Sequence, residues 1–139
     1  MDVKFIDKDI GMKIKEIAEK YHIDLVILFG SFAKSRAIKE SDVDIGVFRK
    51  GEQIPYEDQV YLSGEFNRLF KNNTIDISVM SSNNPVLMFN ILRKGEVLYQ
   101  RDDNLFDSLK LYSWKLLVES KYFRDRSFSL LKKRISSYV

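Results

Sequence analysis

One stretch constrains the fold of this chain more than any other: Leu25 to Phe48, which reads LVILFGSFAKSRAIKESDVDIGVF. Asp24 to Phe29 is a continuous apolar run after its first acid, β-branched at Val26 and Ile27, as expected of a strand buried on both faces. Val43 to Arg49 alternates with period two, so Val43, Ile45 and Val47 form one apolar row. The same period sends Asp42 and Asp44 together to the opposite face. Between the runs lie a Gly30-Ser31 turn, a short helix predicted over Phe32 to Ile38, and a polar turn at Lys39-Glu40-Ser41.

The flanking segments supply the remaining layers. Ile10, Ile14, Ile17, Ala18 and Tyr21 form a 3.6-period stripe, which predicts a helix over Asp9 to Tyr21 lying on a sheet, with Asp9 as its N-cap. His22 falls at the exit of that helix, where a surface or capping role is expected. Tyr56 to Phe70 carries Leu62, Phe66, Leu69 and Phe70 at helical spacing. Thr74 to Val79 alternates, with Ile75, Ile77 and Val79 on one face and Asp76 on the other. Pro85 opens a helix to Arg93 that ends at Gly95, and Val97 to Tyr99 reads as a short strand. From Asp102 the pattern is helical, with a second break expected near Ser127. The order predicts an α/β (α+β) fold: a mixed, mostly antiparallel small sheet flanked by helices, with a C-terminal helical extension. One domain is expected over 1–139, its core at about 9–100 and its C-terminal helices at about 102–138.

Composition narrows the chemistry. With 139 residues, 45% hydrophobic and 31% charged, the chain has the mix of a single globular domain. The absence of cysteine excludes disulfides and thiolate metal sites, and one histidine cannot build an imidazole site. Met1 to Gly11 carries acids and no long apolar run, and no later stretch is long enough to span a bilayer, so a cytoplasmic protein with no membrane partner is expected. The net charge of +3 suits a nucleotide substrate but is too small to argue duplex binding, and no direct DNA binding is expected. The basic residues from Lys115 to Arg134 read as a solvated helix face.

Three acids on neighbouring strands, Asp42, Asp44 and Asp76, are a donor set for hard divalent cations, because Mg²⁺ prefers oxygen ligands shared between carboxylates and phosphates. A pair of such ions about 3.5 to 4 Å apart clamps the attacking and leaving oxygens of an in-line displacement at phosphorus. Asp76 is the candidate base for an incoming hydroxyl. Gly30 permits close approach of a phosphate to the backbone, and Ser31 adds hydroxyl and amide donors. Each feature alone is commonplace: aspartates at strand ends are usually solvated or capping, and Asp76 could pair with a surface lysine. The joint arrangement points to phosphoryl chemistry.

Gly30-Ser31, ten intervening residues and then Asp42-Val43-Asp44 resembles the signature of the DNA polymerase beta nucleotidyltransferase superfamily, with Asp76 in the place of its third carboxylate. The short chain is most similar to the minimal nucleotidyltransferase branch, the MNT-type antitoxins paired with HEPN-domain ribonuclease toxins. Ile91 to Tyr99 is similar to the segment that follows in that branch. The resemblance implies a polymerase beta-like fold and transfer of AMP from ATP to a tyrosine hydroxyl of a HEPN-type toxin, with which the chain would form a hetero-oligomer. It implies that Asp42 and Asp44 bind Mg²⁺, with two ions in the site, that Asp76 completes the site and acts as base, and that Gly30, Ser31 and Arg36 hold the triphosphate. Ser35 departs from the pattern, since family members often have glycine after the basic residue of this turn. Two other readings stand beside it: an antitoxin that acts only by covering its toxin, and a transferase for a small molecule such as an aminoglycoside. The lack of a substantial substrate domain speaks against the last. Finally, Tyr112, Trp114, Tyr122, Phe123 and Phe128 are spread around the C-terminal helix, more than a small sheet easily buries, which suggests a protein partner.

Overall fold

The computed structural model describes residues 8–30, 43–51, 53–71 and 74–136, with side-chain surroundings given through residue 120 and at Asp125 and Lys133. The elements in order are α1 (Lys8–Lys20), β1 (Leu25–Phe29), β2 (Val43–Phe48), α2 (Tyr56–Leu69), β3 (Ile75–Val79), α3 (Pro85–Lys94), β4 (Glu96–Gln100) and α4 (Leu105–Ser136). The four strands form one sheet in the order β3-β2-β1-β4. β1 runs antiparallel to β2 and β4, whereas β2 and β3 are parallel. A parallel pair needs a crossover, and α2 is that crossover. The mixed, mostly antiparallel sheet expected from the sequence is therefore present.

β1 is central, and Leu25, Val26, Ile27 and Leu28 are all fully buried. Alternation splits them between two cores. Val26 and Leu28 join Val43, Ile45 and Val47 beneath α1 and α2, against Ile14, Ala18, Leu62 and Phe66. Leu25 and Ile27 turn the other way, against Met88, Ile91 and Leu92 of α3 and Leu109 of α4. Helices thus cover both faces. Each fully buried Leu or Ile contributes about 1.5–3 kcal/mol, so these two layers dominate the stability.

The element ends show where local chemistry overrides pattern. Asp9 is not the N-cap of α1 but lies in its first turn, where a carboxylate complements the positive end of the helix dipole. At the other end the His22 amide donates to the Glu19 carbonyl at 3.3 Å and the Ile23 amide to the Ala18 carbonyl at 2.8 Å. This is a Schellman closure, and His22 takes the left-handed conformation it requires, with φ 56°. The Arg49 guanidinium then caps the helix, its Nε donating to the His22 carbonyl at 3.3 Å and its Nη2 to the Tyr21 carbonyl. His22 is exposed, in keeping with its expected capping role. Asn84 caps α3 by accepting from the Leu87 amide at 3.3 Å, with Pro85 as first helical residue. The break expected near Ser127 is absent: α4 runs unbroken for 32 residues, because no glycine or proline interrupts it and serine alone does not stop a helix. The predicted helix over Phe32 to Ile38 lies outside the described residues.

Asp24 ties the sheet together at the end where β1 begins. Only 7% exposed, it accepts the Lys50 amide at 2.7 Å and Arg101 Nη1 at 3.2 Å. Its own amide donates to the Phe48 carbonyl at 2.8 Å, and the Arg101 amide donates to its carbonyl at 2.8 Å. The Arg101 side chain is 74% exposed, so the ion pair is solvent-screened and the amide bond matters more. Asp24→Ala, which leaves the Lys50 amide without its acceptor, should destabilise the protein by about 1–3 kcal/mol in urea unfolding. Arg101→Ala should cost about 1 kcal/mol or less, and equal losses for the two variants would contradict this ordering.

Candidate active site

The register across the sheet places Phe29 opposite Asp44 and Asp44 opposite Asp76. Because Val43, Ile45 and Ile75 point into the core under α1 and α2, alternation turns both aspartates to the other face. They lie side by side at the starts of the parallel strands β2 and β3, on strands about 4.8 Å apart. Asp44 is half-buried and Asp76 exposed. Among the described ion pairs none involves Asp76, so the surface lysine partnership that the sequence left open is not seen.

Gly30 follows β1 at the same pole. Its φ is 81°, a left-handed conformation that favours glycine. A Cβ built at Gly30 would fall on the Asp44 carboxylate, with the Asp44 Cγ only 3.2 Å away. Glycine here lets the Asp44 carboxylate pack directly against the backbone that ends β1. The structure therefore brings together Gly30, Asp44 and Asp76. Asp42, Ser31 and Arg36 lie outside the described residues, and among the described residues no three potential ligands cluster into a metal site. Asp44 and Asp76 offer oxygen donors only, the type that a hard divalent ion prefers.

One residue of this region escaped the sequence reading. Gly46 lies two residues beyond Asp44 on the same face, and a Cβ there would meet the Ile91 side chain at 2.8 Å. It lets α3 press flush against the sheet beside the carboxylates. The signal was available: glycine inside a strand marks a bulge or a close approach. A separate cavity of about 480 Å³ opens at the opposite pole of the sheet, lined by Phe48, Ile54, Val79, Met88 and Tyr112, and shares no residue with the carboxylate site.

Gly30→Ala and Gly51→Ala separate strain from contact, since Gly51 has φ 84° but open space around it. Gly51→Ala should cost about 1–2 kcal/mol from the backbone conformation alone. Gly30→Ala should cost more, and adding Asp44→Ala to it should recover the excess. Equal unfolding midpoints for the two glycine variants would rule out the contact with Asp44.

The model of the polymerase beta nucleotidyltransferase family matches residues 12–104, which contain the whole sheet. No curated protein matches the sequence. Solved structures share the fold at low identity. A toxin–antitoxin complex with AMP-PNP contains a chain 16% identical, with a TM-score of 0.69 over 87% of this chain and 97% of that one. An MntA–HepT complex gives 15% identity and 0.63 over 90% and 98%. The MNT antitoxin in complex with a tri-AMPylated HEPN toxin of Shewanella oneidensis gives 17% and 0.59 over 94% and 99%. At these identities the likeness speaks for the fold alone. Family match, sheet order and registered carboxylates agree, and the chain belongs to the polymerase beta nucleotidyltransferase family.

Proposed function

We propose that this chain is a Mg²⁺-dependent protein adenylyltransferase, an antitoxin that transfers AMP from ATP to a tyrosine hydroxyl of a HEPN-type ribonuclease toxin and so silences it. The observation that carries the reading is the registered pair Asp44 and Asp76 beside Gly30. Supporting it, structures of similar fold come from toxin–antitoxin complexes, one with AMP-PNP and one with an AMPylated toxin.

In this reading Gly30 and Ser31 hold the triphosphate through backbone and hydroxyl donors, and Arg36 meets a phosphate oxygen. Asp42, Asp44 and Asp76 would hold the metal. When bound, two Mg²⁺ ions supply charge neutralisation for the polyphosphate and its leaving group. Asp76 accepts the proton of the tyrosyl hydroxyl. The phenolic oxygen forms a bond to the α-phosphorus, the bond from that phosphorus to its bridging oxygen breaks, and pyrophosphate departs. No side chain acts as nucleophile, so positioning and electrostatics carry the rate. The exposure of Asp76 suits an acceptor as large as a protein, because the base lies at the rim of the sheet.

The test incubates the chain with ATP labelled at the α-phosphate, Mg²⁺ and the HEPN protein encoded beside it. Wild type should label the HEPN protein, and EDTA should abolish labelling. Asp44→Ala should reduce the rate by about 10³-fold or more, and Asp76→Asn by about 10²–10⁴-fold, with circular dichroism unchanged. Inhibition of the ribonuclease without any label, by wild type and Asp44→Ala alike, would show an antitoxin that acts by binding only.

A further inference from the structure

α4 is long for a domain of this size. Its 32 residues span about 48 Å at 1.5 Å per residue, whereas strands of five or six residues reach about 17–20 Å. The helix packs on the domain through Leu105, Leu109 and Leu116, and Leu109 and Ser113 are buried. At 100° per residue, Leu111, Trp114 and Val118 fall on the diametrically opposite side. They are 67%, 52% and 47% exposed. A helix with an apolar strip on each side has two faces suited to burial, and among the described residues only one of them is covered.

Charge says what kind of surface covers the other. The segment Leu105–Ser136 contains eight basic and three acidic residues, an excess of five. The whole chain carries +3, so the rest of it carries an excess of two acids. Most of the positive charge follows Val118: Lys121 to Arg134 holds six basic residues and one acid. Two copies packed in parallel along this face would set two strongly basic helices side by side, and like-charge juxtaposition works against that pairing. An apolar strip bordered by carboxylates is the complementary surface.

We propose that the outward face of α4 is a docking site for the acceptor protein of the transfer reaction, which presents a helix-sized apolar strip rimmed by acidic residues. The inference rests on the adenylyltransferase reading above. Trp114 is the anchor, because a tryptophan desolvated at the centre of an interface carries a disproportionate share of binding. The site holds the acceptor while a different part of the same protein delivers its hydroxyl to the carboxylates, so docking and chemistry are carried by separate surfaces of this chain.

The experiment measures binding of the full chain to the HEPN protein by titration calorimetry, and AMP transfer to it under initial-rate conditions. The variants are Trp114→Glu, Leu111→Glu, Asp44→Ala and, as control, Tyr56→Glu, an 80% exposed aromatic on α2. Trp114→Glu should weaken binding by about tenfold or more, and raise KM for the acceptor with kcat little changed at saturation. Leu111→Glu should act in the same direction. Tyr56→Glu should match wild type, and Asp44→Ala should bind normally while losing transfer. Raising salt from about 0.05 to 0.3 M should weaken wild-type binding, as expected of a basic surface meeting an acidic one. Unaltered affinity in Trp114→Glu overturns the docking site and leaves the enzymatic reading intact. Absent labelling with Trp114-dependent binding does the reverse. A wild type that sediments alone as a dimer and becomes monomeric in Trp114→Glu overturns the proposal by identifying a second copy as the occupant.

Discussion

Everything in this fold depends on burying β1 on both faces. A strand with Leu25, Val26, Ile27 and Leu28 all inaccessible requires a neighbour on each edge and a helical layer on each side. α1 and α2 supply one layer, α3 and α4 the other. With both faces occupied by helices, polar chemistry is displaced to the ends of the strands. The pole where β1 ends and β2, β3 and β4 begin gathers Gly30, Asp44 and Asp76, so the position of the site is a by-product of the way the core is closed.

The site is fixed by its surroundings. The strands that carry Asp44 and Asp76 are held by Val43, Ile45 and Ile75 in the core. The arrangement is therefore rigid before any ligand arrives, which is what a reaction relying on positioning needs. Gly30 contributes differently. It serves by omission, since any side chain would collide with the Asp44 carboxylate.

Most of this architecture was legible in the sequence because periodicity carries it. Alternation at Val43, Ile45 and Val47 and at Ile75, Ile77 and Val79 defined the strands, and the 3.6-residue stripes defined the helices. That Asp44 and Asp76 share one face followed from which faces those rows left over, whereas their register came only with the fold. What was not legible depends on partners remote in sequence. Asp24 looked like the opening residue of a strand, yet its role comes from Lys50 and Arg101, 26 and 77 residues away. Gly46 was passed over because its neighbour, Ile91, belongs to a helix formed much later. Asp9 and Ser127 were misread for a local reason: acids suit both an N-cap and a first turn, and serine is neutral enough inside a helix to be carried along by its neighbours.

Among the described residues β3 lies at the edge of the sheet, paired with β2 alone. An edge strand exposes unpaired backbone donors and acceptors, and the sequence Ile75-Asp76-Ile77-Ser78-Val79 is otherwise a good template for another chain to join. Asp76 is its only charge. Its carboxylate guards the edge, because an added strand would have to desolvate it. Whether or not it takes part in chemistry, an acid at that position keeps a chain of this fold free of edge-to-edge association.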